Sequence, residues 1–211
     1  MTSDVAIGAS YLGCFEGEYL SLTRVVPQNP FLLFAKNFLQ HPRMLGSVVP
    51  SSRFLIQRML DRIDWVRTRV VVEYGPGVGN VSQHLLSRLR PDGRLVLVEM
   101  NEEFVFLLRQ RLRDPRVQVV HGSAANVRSI LREQGFDGAD VIISGIPYST
   151  IPAVLRRRIL RESRAMTSDG GEVIVYQFMK TIEKELRDCF DEVEPDFEAL
   201  NLPPARIWYC R

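Results

Sequence analysis

The chain has 211 residues, 45% hydrophobic and 25% charged, with 27 basic and 25 acidic side chains and a formal net charge of +2. That length suffices for one domain with a substantial core, and so small a net charge makes no bulk electrostatic case for nucleic acid, leaving only local clusters. The cysteines, Cys14, Cys189 and Cys210, have neither metal-ligand spacing nor the look of a disulfide framework, which predicts buried thiols in a reducing compartment.

The opening stretch, "MTSDVAIGAS", has no basic region followed by an apolar run, so no secretory leader is expected. No segment reaches the roughly 20 apolar residues that span a bilayer. These features predict a cytoplasmic protein, soluble or peripheral to the inner face of a membrane. Residues 1–29 show weak periodicity and read as an N-terminal extension, a lid or a flexible segment. Residues 30–66 read as helices leading into the domain that fills the rest of 30–211. In Phe31 to Gln40, Phe31, Phe34, Ala35 and Phe38 recur at helical spacing, and Leu32, Leu33 and Leu39 widen the apolar face. Two readings stay open for this helix: a lid or core helix over a ligand site, or an interfacial helix whose aromatic face enters a lipid headgroup layer.

From Arg69 onward strands and helices alternate. "VVVEY" is a buried strand. Asn80 to Leu89 is a helix stopped by Pro91 and Gly93, and "RLVLVEM" is a second strand. Asn101 caps a helix to about Arg113, with Glu102 and Glu103 well placed in its first turn. "VQVV" is a short strand, followed by a helix around Val127 to Gln134. "ADVIIS" is a fourth strand, Pro152 to Met166 a helix, "GEVIVYQF" a fifth strand and Lys180 to Phe190 the last helix. The tail holds two extended runs around Leu202-Pro203-Pro204, too close together for a crossover helix, so they should pair antiparallel. The expected fold is α/β: a mostly parallel seven-stranded sheet, finished by a C-terminal antiparallel hairpin, with helices on both faces.

Gly75, Gly77 and Gly79 follow the first strand and open a helix, where absent Cβ atoms permit a tight turn and close approach of a ligand. The dinucleotide fingerprint G-x-G-x-x-G has its third glycine one position later, where Asn80 stands, and the Gly-Lys-Ser/Thr of a P-loop is absent. Glu99 ends the second strand, where a carboxylate can accept two ribose hydroxyls. This supports a nucleoside cofactor without choosing among nucleosides.

The pattern E-x-G-x-G-x-G from Glu73 to Gly79 resembles motif I of class I S-adenosylmethionine-dependent methyltransferases. The resemblance implies a Rossmann-like methyltransferase fold and S-adenosyl-L-methionine as cofactor. It implies a glycine loop under the methionine part, with Glu73 helping to orient it. Where many relatives carry Gly-Asp-Ala near the adenine amine, this chain has Gly122-Ser123-Ala124, and the Ser123 hydroxyl would accept that hydrogen bond more weakly than a carboxylate. The implied cofactor-binding set is Ser51, Ser52, Glu73, Gly75, Gly77, Gly79, Glu99, Met100, Ser123, Ala124 and Ser144, with no metal.

The fourth strand ends in "SGIPYSTIP". Ribosomal RNA adenine dimethyltransferases show N-L-P-Y at this corner, where the Asn and a backbone carbonyl accept the adenine amino protons and the ring stacks on the base. Here the motif is Gly145-Ile146-Pro147-Tyr148, without the Asn. "SGIP" more closely resembles the S-G-L-P of bacterial phospholipid N-methyltransferases. So does the stretch Phe31 to Leu60, an apolar helix, a basic turn His41-Pro42-Arg43 and a small-residue run ending Pro50-Ser51-Ser52-Arg53. Tyr148, where the lipid enzymes often have an aliphatic residue, Ser123 and the long N-terminal extension depart from that pattern.

The implied activity is methyl transfer to an amino-lipid headgroup such as phosphatidylethanolamine at a membrane surface. Gly145 would offer its backbone carbonyl, and Tyr148 a hydrogen bond or cation–π contact to the amine. Tyr176 faces the same region, and His121 beside the cofactor loop is a weak candidate base. Arg156, Arg157, Arg158, Arg161 and Arg164 make one helix basic: a solvated face, or an attraction to anionic lipid or to RNA phosphates. The competing readings are an RNA adenine methyltransferase, a small-amine N-methyltransferase, and a non-catalytic cofactor-fold binding protein.

Overall fold

The computed structural model of the chain describes residues 51–178 and 182–211. The expectations for residues 1–29 and for the helix Phe31 to Gln40 concern residues outside that range.

Seven strands form one sheet: β1 (Val70–Tyr74), β2 (Arg94–Glu99), β3 (Val117–His121), β4 (Ala139–Ser144), β5 (Thr167–Gln177), β6 (Val193–Glu198) and β7 (Ala205–Cys210), in the order β3-β2-β1-β4-β5-β7-β6. The first five run parallel, and β7 pairs antiparallel with both β5 and β6. The central strands are continuous β-branched runs because helices cover both of their faces. The order reverses between β1 and β4, and at such a switch point the C-terminal ends of the strands leave a crevice for a ligand.

The helices are α1 (Arg53–Leu60), α2 (Asn80–Arg88), α3 (Glu102–Arg111), α4 (Val127–Glu133), α5 (Ala153–Met166) and α6 (Glu183–Cys189). Among the described residues no helix is long and apolar enough to cross a membrane. Strand alternation divides the core in two. Val71, Ile143 and Ile174 face α1, α2 and α3, packing on Leu55, Leu85 and Leu108. Val72, Ile142 and Val175 face α4, α5 and α6, packing on Leu131, Leu160 and Leu186. Each fully buried Leu, Ile or Val contributes about 1.5–3 kcal/mol.

Local chemistry sets the ends that matter for the site. The Asn101 side chain accepts from the backbone N–H groups of Glu103 and Phe104 and starts α3 where β2 stops. The Ser52 hydroxyl accepts from Leu55 N at 3.2 Å and starts α1. α1 is tied across the edge strand β6 by Arg58–Glu198 at 2.8 Å and a two-bond Arg62–Glu194 pair at 2.6 and 2.5 Å. Those pairs shield the sheet edge and fix the Ser51-Ser52 segment above the switch point.

Candidate active site

The glycine loop takes the backbone shape that only bare Cα atoms adopt cheaply. Gly75, Gly77 and Gly79 have φ of +67°, +56° and +82°. A Cβ at Gly79 would meet Leu108 at 2.8 Å, so this glycine lets α2 close on α3. A Cβ at Gly75 would meet Ile146 at 2.9 Å. The loop after β1 and the corner after β4 are therefore in van der Waals contact.

Glu99 holds the loop from the side. Its two carboxylate oxygens accept from Gly77 N at 3.0 Å and Asn101 N at 2.8 Å. Burial pushes its pKa up, against the backbone donors that favour the ionised form. Each oxygen has a second lone pair, so the carboxylate can still accept ribose hydroxyls. Met100 beside it is 61% exposed, an apolar side chain open to stacking. His121 Nε2 lies 3.0 Å from the Met100 carbonyl oxygen. Ser123 Oγ accepts from Ala125 N at 3.3 Å and caps a short 3-10 turn, with Ala124 buried behind it.

Glu73 lies beneath the loop on the α2 side. Its Oε2 accepts from Ser82 Oγ at 2.6 Å. Burial is the main cause of a pKa pushed up to about 8; the Ser82 hydrogen bond opposes the shift, and the nearby Glu99 charge adds to it. Asn80, where a dinucleotide fingerprint has its last glycine, donates from Nδ2 to the Ser51 carbonyl at 2.6 Å. Asn201 Oδ1 accepts from Ser52 N at 2.8 Å. Asn80 thus links the Ser51-Ser52 segment to the glycine loop, and Asn201 ties it to the β6–β7 hairpin.

The corner after β4 is held by hydrogen bonds to one carbonyl. The Ile146 carbonyl takes donors from Tyr148 N at 2.9 Å and Gln177 Nε2 at 3.0 Å. Gln177 is buried, and its Oε1 has no hydrogen-bond partner. Tyr148 is 1% exposed and its hydroxyl lies 3.0 Å from Ser144 Oγ, itself fully buried. The Tyr148 ring belongs to the core that holds Trp208 and Ile182, on the α4–α6 side of the sheet. Contact between Tyr148 and a substrate therefore requires its 3-10 turn, Tyr148–Thr150, to shift. Gly145, by contrast, sits on the opposite face, directly under the Tyr176 phenol.

The structure brings Ser51, Glu73, the three glycines, Glu99 and Met100 to the C-terminal ends of β1 and β2. Ser123 and Ala124 lie just past β3, and Gly145 beside the loop across β4. Ser144 and Tyr148 form a separate buried pair. Asn80, Ser82, Asn201 and Gln177 had no functional reading from sequence; of these only Asn80 carried a signal, its place in the glycine motif. The basic helix is largely spent on intramolecular partners. Arg156 pairs with Glu185 at 2.6 Å and reaches the carbonyls of Tyr148 and Ile151, Arg164 pairs with Asp191, and Arg158 bonds Asn126.

This geometry fits a nucleoside cofactor: left-handed glycines that a Cβ would block, and a buried carboxylate with spare lone pairs. A family model for ribosomal RNA adenine dimethylases matches residues 40–170. An ornithine lipid N-methyltransferase of Singulisphaera acidiphila is 33% identical over 183 residues, 86% of this chain and 95% of the relative. Ribosomal RNA small subunit methyltransferase A of Geobacter metallireducens is 33% identical over 116 residues, 54% of this chain but 41% of the relative. Among solved structures, the pyocyanin biosynthetic protein PhzM superposes with a TM-score of 0.56 at 16% identity, covering 75% of this chain and 54% of PhzM. A putative rRNA methylase of Clostridium thermocellum gives 0.54 at 17% identity, covering 67% and 86%. The last two share the class I methyltransferase fold.

The protein is an S-adenosylmethionine-dependent methyltransferase with the class I fold. Within that class, the chain belongs to the ribosomal RNA adenine dimethylase family.

Proposed function

We propose that the chain N-methylates the headgroup amine of an amino-lipid, of the phosphatidylethanolamine or ornithine-lipid kind, at a membrane surface. The observation that carries this reading is the extent of likeness to the ornithine lipid enzyme, which the chain matches over nearly its whole length. The ribosomal relative is matched over less than half of its own. Two structural features lean the same way. The acceptor corner has Gly145 where a nucleobase site would use a polar side chain, and most arginines of α5 are tied up within the fold rather than offered to phosphates.

Bound S-adenosyl-L-methionine supplies a methyl group already activated on a sulfonium, so no metal is needed to make it electrophilic. Glu73, the glycine loop, Glu99, Met100, Ser123 and Ala124 would hold the cofactor, with Ser51 and Ser52 closing over the loop from α1. The chain's own work is placement. It must bring an unprotonated amine in line with the methyl group and keep water out. The Gly75–Ile146 contact sets the two halves of the site against each other, and the Gly145 carbonyl and the Tyr148 turn frame the amine side. Ser144 and Tyr148 act here by fixing the corner's shape through their mutual hydrogen bond.

The deciding experiment incubates the protein with labelled methyl donor and, separately, amino-lipid vesicles, total RNA and small amines. Label entering the lipid supports the proposal. Label entering RNA alone replaces it with the adenine reading.

A further inference from the structure

Tyr176 lies one residue past the Ser144–Val175 pair of β4 and β5. It shares a face with Ile174, the face covered by α1 to α3. Strand alternation, continued one residue past each strand, puts Glu73 of β1, Gly75 just after it and Gly145 just after β4 on that same face. Gly145 separates the tyrosine from β1, and its missing side chain matters. An added Cβ would lie 2.3 Å from the Tyr176 hydroxyl oxygen and 2.7 Å from Cζ. The phenol therefore leans across β4 over bare backbone, toward the glycine loop.

Two further neighbours show where the hydroxyl ends. Ser51, tethered to the start of α2 by Asn80, and the Glu73 carboxyl both lie close enough to bear on the ionisation of the phenol. The hydroxyl thus stands where the acceptor corner, the glycine loop's underside and the segment before α1 meet. Phenylalanine would fill the same volume, so packing alone does not call for an oxygen here. A phenol oxygen offers one donor and two acceptor positions.

We propose that the Tyr176 hydroxyl positions the acceptor nitrogen: its oxygen accepts an N–H of the substrate amine and so aims the nitrogen lone pair at the methyl carbon. The inference rests on the amine-methylating reading and names the group that serves it. In the transfer, the lone pair forms the N–C bond and the C–S bond breaks with its electrons on sulfur. The nitrogen becomes an ammonium centre whose extra proton passes to water after release. The phenol stays neutral throughout, as its burial favours.

The test compares wild type, Tyr176→Phe, Gly145→Ala and the double variant, using labelled methyl donor and phosphatidylethanolamine or ornithine-lipid vesicles. Cofactor affinity is measured by calorimetry and the fold by thermal melting. Tyr176→Phe should lower kcat about 10- to 100-fold, the worth of one hydrogen bond to a charged centre. Its cofactor Kd should stay within about twofold and its melting temperature unchanged. Gly145→Ala, which displaces the phenol without removing it, should lose kcat similarly, and the double variant should be no worse than about threefold below either single one. A Tyr176→Phe kcat within about twofold of wild type overturns the proposal, as does a loss of cofactor affinity that matches the loss of rate. Should wild type label RNA and not lipid, the lipid reading fails alone, and the Tyr176→Phe to wild-type ratio on RNA decides the role of Tyr176.

Discussion

Replacing Glu73 by glutamine isolates an electrostatic cost that lies under the glycine loop. The carboxyl is 2% exposed, with Ser82 Oγ as its hydrogen-bond donor and a like charge, Glu99, nearby. Its pKa stands at about 8 in the folded chain against an ordinary 4.5. Between those values the folded chain keeps a proton that the unfolded chain releases. The stability this proton confers is whole below pH 4.5 and is lost as pH rises through about 8. The slope is about 1.4 kcal/mol per pH unit in mid-window, flattening near the folded pKa, so about 2 kcal/mol disappears between roughly pH 6 and 8. The substituted amide carries no proton to lose and still offers Ser82 an oxygen acceptor. Urea denaturation of both chains at the two pH values should show wild type losing about 2 kcal/mol more than Glu73→Gln. Parallel stability profiles across that interval would mean that Glu73 is ionised in the folded chain, and the buried, neutral carboxyl would be wrong.

Three other substitutions probe the same architecture. Gly77→Val places a β-branched residue at φ +56°, costs about 1–2 kcal/mol in backbone strain, and should abolish cofactor binding by calorimetry while the sheet's circular dichroism persists. Glu99→Gln leaves Gly77 N or Asn101 N facing an amide NH2 instead of an acceptor; the cofactor Kd should rise about 10- to 100-fold, and an unchanged Kd would remove Glu99 from the ribose site. Arg156→Ala strands the half-buried Glu185 and frees the Tyr148 turn, and should cost about 1–3 kcal/mol in urea denaturation, between exposed and buried ion-pair values; a loss under about 0.5 kcal/mol would show that the pair holds nothing.

The sheet was legible because the first four strands are apolar, valine-, isoleucine- or leucine-rich runs followed within two residues by glycine or an Asn cap, and because Leu202-Pro203-Pro204 leaves no room for a crossover. Element ends matched to within a few residues: β5 begins at Thr167 rather than Gly171, and α3 stops at Arg111 rather than Arg113. The glycine loop and Glu99 were legible for the same local reason, as backbone shape and strand-end position are written in a few adjacent residues. What the sequence hid depends on distant partners. Whether Tyr148 turns toward substrate or core follows from Ser144 and the α4–α6 layer, and no periodicity runs through a 3-10 turn to reveal it. Tyr176 could be assigned the face of Ile174 by alternation, but only the strand order places Gly145 between it and β1. The arginine run looked like a free basic face because its partners Glu185 and Asp191 lie on or beyond the next helix.

Mass spectrometry of lipid and RNA recovered from one reaction with deuterium-labelled methyl donor, amino-lipid vesicles and total RNA together decides between lipid and nucleobase as the methyl acceptor. Deuteromethyl groups are expected on the headgroup nitrogen of the lipid and none on adenine. Unlabelled lipid beside labelled N6-methylated adenosine would make RNA the substrate instead.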